Sequence, residues 1–174
     1  MRTMLLALSG AILLGAPGAA LSHITLEQQQ AAAGSTYKAV LRLGHGCEGS
    51  PTTTVRVRIP DGVINVKPMP KPGWELTTKV EPYPEPMPYR DTVLTEGVRE
   101  ITWSGGSVPD EWYDEFVFRG QLPDGEPGTV VYFPTVQECP DGGVHRWIEI
   151  PAEGRSRDDY EEPAPQVTLT PAQD

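Results

Sequence analysis

Proline occupies positions 68, 70 and 72, and again 82, 84, 86 and 88, and the chain's 19 prolines and 18 glycines leave mostly short runs between them. A proline inside a helix removes a backbone hydrogen bond and clashes with the preceding turn, at a cost of about 3 kcal/mol. No long stretch here has clean helical periodicity. What remains between the breakers is rich in Val, Ile, Thr, Tyr and Trp. Many short strands separated by Gly and Pro turns predict an all-β chain, an immunoglobulin/fibronectin-III-like β-sandwich.

The strands follow from the alternation. Residues 24–27 read as a short first strand carrying His23 at its start, and 28–33 as a helical turn or loop. Residues 35–43 (STYKAVLRL) and 53–59 (TTVRVRI) alternate, the second with Val55, Val57 and Ile59 inward. Pro60-Asp61-Gly62 is a turn, and 63–67 follows as a strand. The prolines of 68–72 fit an edge or a rigid loop. Residues 74–80 return to strand, and the Pro-rich 81–91 reads as an extended, exposed linker. Further strands are expected at 98–103, 114–121, 129–137, 144–150 and 167–169. In 114–121 (DEFVFRGQ), Phe116 and Phe118 share one face, and Glu115 and Val117 the other. Residues 153–162 read as charged and loose.

The amino terminus has a different character. Arg2 precedes an apolar stretch that ends in Ala20-Leu21-Ser22, the three-part pattern of a secretory signal peptide cut after Ser22. The expected organisation is a leader over 1–22, one domain over 23–170 and a short tail over 171–174. The full chain carries a formal charge of −10, and loss of Arg2 makes the mature chain one unit more negative. An acidic surface disfavours nucleic acid and anionic membrane as partners. No second apolar run reaches the roughly 18 residues of a membrane span, so no transmembrane anchor is expected after cleavage. A periplasmic or secreted protein is implied. In such a chain the two cysteines, Cys47 and Cys139, read as one disulfide closing a long loop, worth roughly 4 kcal/mol. A Cu(I) or Zn(II) thiolate pair is the rival reading.

Cleavage after Ser22 would free an α-amine on His23. That amine and the ring Nδ1 can close a six-membered chelate on one ion, and planar nitrogen and oxygen donors suit Cu(II). Otherwise His23 is a frayed end. His45 and His145 are the remaining imidazoles. His45 adjoins Cys47, and His145 adjoins Arg146, whose charge repels a cation; ordinary loop or strand polarity explains both. Glu115 sits mid-strand among apolar residues, where a carboxylate is costly unless paired. It serves either as a ligand or as a solvent-facing partner of an arginine such as Arg119. Trp147 is a core ring or a ring packed over an ion.

The runs GHGCEGSPTTTVRVRIPDGV (44–63), VKPMPKPGW (66–74), WSGG (103–106), PDEWYDEFVF (109–118), YFPTVQEC (132–139) and WIEIPAEG (147–154), with the mature start HITL (23–26), resemble the YcnI-like family of exported copper-binding proteins. The resemblance covers nearly the whole mature chain. It implies an immunoglobulin- or fibronectin-type sandwich that binds Cu(II) through a monohistidine brace, with a carboxylate as a further ligand and a tryptophan near the metal. His23 matches the brace residue, Glu115 the carboxylate and Trp147 the tryptophan, with Trp103 as the runner-up aromatic. Several members carry a C-terminal membrane helix, whereas this chain ends PAPQVTLTPAQD.

The function expected is copper buffering or trafficking, with Cu(II) as the bound ion and a second periplasmic copper protein as the recipient. A copper oxidase or monooxygenase is disfavoured, because such sites generally present a second imidazole. An interaction module without a physiological metal is the other alternative.

Overall fold

The computed structural model describes residues 23–173. The expected leader, residues 1–22, lies outside the described residues. Twelve strands follow in order: β1 (Thr25–Leu26), β2 (Gln30–Ala32), β3 (Thr36–Leu43), β4 (Thr52–Arg58), β5 (Ile64–Pro68), β6 (Glu75–Tyr89), β7 (Thr92–Val108), β8 (Asp114–Gln121), β9 (Val130–Tyr132), β10 (Thr135–Glu138), β11 (Val144–Trp147) and β12 (Gln166–Thr170). They form a four-stranded sheet β1-β3-β8-β5, a five-stranded sheet β11-β10-β4-β7-β6 and a three-stranded sheet β2-β12-β9. This is the expected all-β sandwich. Among the described residues no helix is long and apolar enough to cross a membrane.

The core lies where the inward faces of the sheets meet. Leu41 and Leu43 of β3, Val55 and Val57 of β4, Ile101 and Trp103 of β7, and Phe116 and Phe118 of β8 are all buried. Phe116 packs edge-on against Trp103 with ring centroids 5.6 Å apart, and Phe118 against Phe133 at 5.5 Å. The alternation of TTVRVRI is realised as expected, with Val55, Val57 and Ile59 inside. The Pro60-Asp61-Gly62 turn closes with Gly62 at φ 83°, a region that glycine enters without steric cost.

Four local expectations are corrected. Residues 81–91 are extended and largely exposed, but they are no linker: β6 runs through Pro82, Pro84, Pro86 and Pro88 and pairs with β7 down to Tyr89 opposite Thr92. Alternate prolines put their missing N–H groups on one side of the strand. β6 is the edge of its sheet, where one side has no partner to lose. The register slips between Pro82 and Met87, which absorbs the remaining misfit. Residues 129–137 form two strands in different sheets, because Pro134 breaks the run and turns the chain from β9 into β10. Residues 28–33 contain β2, which pairs in parallel with β12; that long-range pairing leaves no local pattern in Gln and Ala. The strand expected over 144–150 stops at Trp147.

Cys47 and Cys139 form the expected disulfide, with Cα atoms 6.1 Å apart across a sequence separation of 92. The bond ties the loop after β3 to the end of β10. The thiolate-pair reading is thereby set aside.

Candidate metal centre

β11 lies beside β10 in register Thr135↔Trp147 and Gln137↔His145. Strand alternation therefore puts His145 and Trp147 on one face of β11 and Arg146 on the other. Trp147 is buried, and its Nε1 donates to Oε1 of Gln137 at 3.1 Å. Gln137 is itself fully buried. Its Nε2 donates to the His45 carbonyl at 2.8 Å and to Thr52 Oγ1 at 2.7 Å. One amide thus fixes the tryptophan and the loop that carries His45.

That loop is tightly folded. Cys47 and Ser50 exchange backbone hydrogen bonds at 2.9 Å, and the Gly46 N–H donates to Asp110 at 2.7 Å. A Cβ on Gly46 would stand 1.9 Å from the Ser50 carbonyl oxygen, so only glycine fits between His45 and Cys47.

All three histidines of the chain surround Trp147. The His23 ring meets it edge-on with centroids 5.7 Å apart, the His45 ring edge-on at 6.2 Å, and the His145 ring stacks on it at 5.2 Å. The His45 and His145 rings are themselves 5.6 Å apart. The structure therefore places the His23 ring beside Trp147, the two residues that the family resemblance singles out. It also brings in the two imidazoles that sequence reasoning discounted. The signal for them was present: His45 lies two residues before Cys47 and His145 six after Cys139, so the predicted disulfide already drew the two together. Strand alternation removes the objection from Arg146. Glu162, which binds His145 Nδ1 at 2.8 Å through Oε1 and accepts from the Arg146 N–H at 2.9 Å through Oε2, had no sequence signal.

The 153–162 segment closes over His23. It is more ordered than a loose charged stretch: Arg157–Asp159 forms a 3-10 turn capped by Ser156, and Arg157 donates to the Ile24 carbonyl at 3.4 Å. Burial holds the His23 pKa below its usual value, and the Arg157 guanidinium adds to this; Asp158 and the Glu161 carbonyl pull the other way, and His45 depresses it slightly further. Burial likewise lowers the Arg157 pKa.

Glu115 lies elsewhere on the four-stranded sheet. Its Oε1 accepts from the Tyr113 hydroxyl at 2.5 Å, and its cross-strand neighbour is Arg42, not Arg119. Burial and then Glu115 push the Tyr113 pKa up to about 12. Thr25 pairs with Arg42 from the other side, so Glu115 lies two strands, or about 10 Å, from the strand that His23 leads into. No hydrogen bond among the described residues joins Glu115 to a histidine or to Trp147. Trp103 is a core ring whose Nε1 donates to the Met69 carbonyl at 3.0 Å.

Among the described residues, no group of three or more His, Cys, Asp or Glu side chains is spaced to hold a metal ion. A site at His23 would draw part of its donor set from backbone nitrogen, as an N-terminal α-amine allows. The Nε2 of His23 is buried with no hydrogen-bond partner among the described residues. Burial of Nε2 leaves Nδ1, the ring nitrogen nearer the backbone, as the one that an α-amine chelate would use.

The sequence profile of a family described as a domain of unknown function (DUF1775) matches residues 23–169. No curated protein matches the chain. Among solved structures, the chain is similar to an uncharacterized protein from Nocardia farcinica described as having an immunoglobulin-like fold. The two share 28% identity with a TM-score of 0.63, over 86% of this chain and 99% of that one.

Proposed function

Because this chain belongs to the DUF1775 family, a domain that YcnI-like proteins carry, we propose that it is an exported Cu(II)-binding protein of copper homeostasis, buffering the ion or passing it to a second copper protein. The observation that carries this reading is the contact between His23 and Trp147, with ring centroids 5.7 Å apart. The leader pattern ends immediately before His23, and the disulfide suits an oxidising compartment.

In this reading the α-amine and Nδ1 of His23 hold the ion and Trp147 limits water access; Glu115 would supply an anionic oxygen only by reaching across two strands, whereas Asp158 already acts on His23. The chemistry is coordination without turnover. The lowered His23 pKa keeps the ring neutral near pH 7, so it does not have to lose a proton to bind. A copper titration of the chain beginning at His23, read by electron paramagnetic resonance, should show one Cu(II) with nitrogen and oxygen donors. His23→Ala should abolish that signal. Comparing Glu115→Gln with Asp158→Asn, the acid that acts on His23 electrostatically, identifies the carboxylate. Unchanged binding in His23→Ala would refute the reading.

A further inference from the structure

His45 and His145 share a feature that the N-terminal reading leaves unused. The Nδ1 of His45 lies 2.6 Å from the Gly46 carbonyl oxygen, which can only accept, so Nδ1 carries the proton. The Nδ1 of His145 faces the Glu162 carboxylate at 2.8 Å, which likewise accepts. Both rings therefore keep their lone pair on Nε2. A histidine whose Nδ1–H is held by a carbonyl or a carboxylate is the usual arrangement of a metal-ligating imidazole, because the second bond fixes the tautomer and raises the basicity of the free nitrogen.

The spacing agrees with a shared ion. An imidazole that binds a metal at about 2.1 Å through nitrogen has its ring centroid about 3.2 Å from the ion. Centroids 5.6 Å apart then subtend about 120° at the ion. Both rings are half-buried. A surface cleft of about 340 Å³, lined by Cys47, Glu48, Ser50, Pro140 and His145, opens His145 to solvent.

We propose that His45 and His145 form a second metal site, for Cu(I), bound through the two Nε2 atoms beside the indole of Trp147. Two neutral imidazoles are few donors for Zn(II), which takes four ligands. They suit Cu(I), which accepts low coordination; the angle that the two rings subtend is that of a three-coordinate ion, with the third position open to a solvent or exogenous donor. Glu162 is a positioning residue that holds the His145 ring. The site does not use the His23 amine and stands independently of it.

The test is an anaerobic Cu(I) titration against a competing chelator. The protein is the chain from His23 with one extra glycine in front, which blocks the amine and leaves the pair intact. One Cu(I) per chain is expected. His45→Gln or His145→Gln should abolish binding, and Glu162→Gln should weaken it by about ten- to a hundredfold. Cu(II) binding by the unextended chain should survive in all three variants, which separates this site from the first. Where a variant fails to fold, Ag(I) titration of the parent followed by histidine ¹⁵N chemical shifts gives the answer directly. Shifts of Nε2 in both rings, with Nδ1 still protonated, are expected. Unmoved Nε2 signals, or Cu(I) retained equally by the histidine variants, would overturn the proposal.

Discussion

The indole N–H of Trp147 and the side-chain oxygen of Gln137 meet 3.1 Å apart in a fully buried setting. Through the same amide Gln137 also holds the His45 carbonyl and the Thr52 hydroxyl. The amide is thus the hub from which a tryptophan on one strand and a histidine on a remote loop take their positions.

Gln137→Leu keeps most of the volume and strands the indole N–H without a partner. A buried donor left unsatisfied costs about 1–3 kcal/mol. Chemical denaturation should show a loss of that order. The His45 amide resonances should shift as well, because the loop loses its tether.

Replacing both Cys47 and Cys139 by alanine should destabilise the fold by about 4 kcal/mol in the chain-entropy account. The same change should broaden the His45 and His145 ring signals while leaving Phe116 and Phe118 sharp, since those rings lie in the core between the sheets. Equal broadening throughout would show that the disulfide supports the whole sandwich and not one end of it.

The pH dependence of the metal-free protein follows from His23. Its folded pKa lies below the ordinary 6.5, so the unfolded chain binds the proton more readily. Stability therefore falls as pH drops from 6.5 towards the lowered value, and is fully recovered above 6.5. Denaturation midpoints across that window should show this slope. Arg157→Gln should flatten it, though burial, the larger cause, remains.

Lys38, Arg119 and Lys67 stand directly across from one another on β3, β8 and β5. Like charges opposed in this way repel. Arg119→Gln should raise stability by up to about 1 kcal/mol at low ionic strength. The gain should shrink as salt screens the row. A destabilised variant would mean that the Arg119 stem packs more than its charge repels.

The sandwich was legible in the sequence because burial writes a period of two into a strand such as TTVRVRI; in DEFVFRGQ, where Phe116, Val117 and Phe118 are all buried, the signal is only an apolar run. The disulfide was legible from an even cysteine count behind a leader-like pattern. The paired course of β6 was not, since proline pairing depends on which edge of a sheet the strand occupies. β2 was hidden because its partner, β12, lies at the other end of the chain. At the site, the neighbourhood of His23 and Trp147 came from family resemblance. The immediate sequence neighbours of His45 and His145 carry no sign of their proximity. The disulfide and strand alternation decide where those rings sit, and both are readable in the sequence.

The most direct measurement is a paired Cu(II) titration of the chain beginning at His23 and of the same chain with one glycine added in front. Both retain the imidazole; only the first has the chelating amine on the same residue. Tight one-to-one binding by the first and its loss in the second is the predicted result. Equal affinity in the two would contradict the account, because the α-amine of His23 would then take no part in the site.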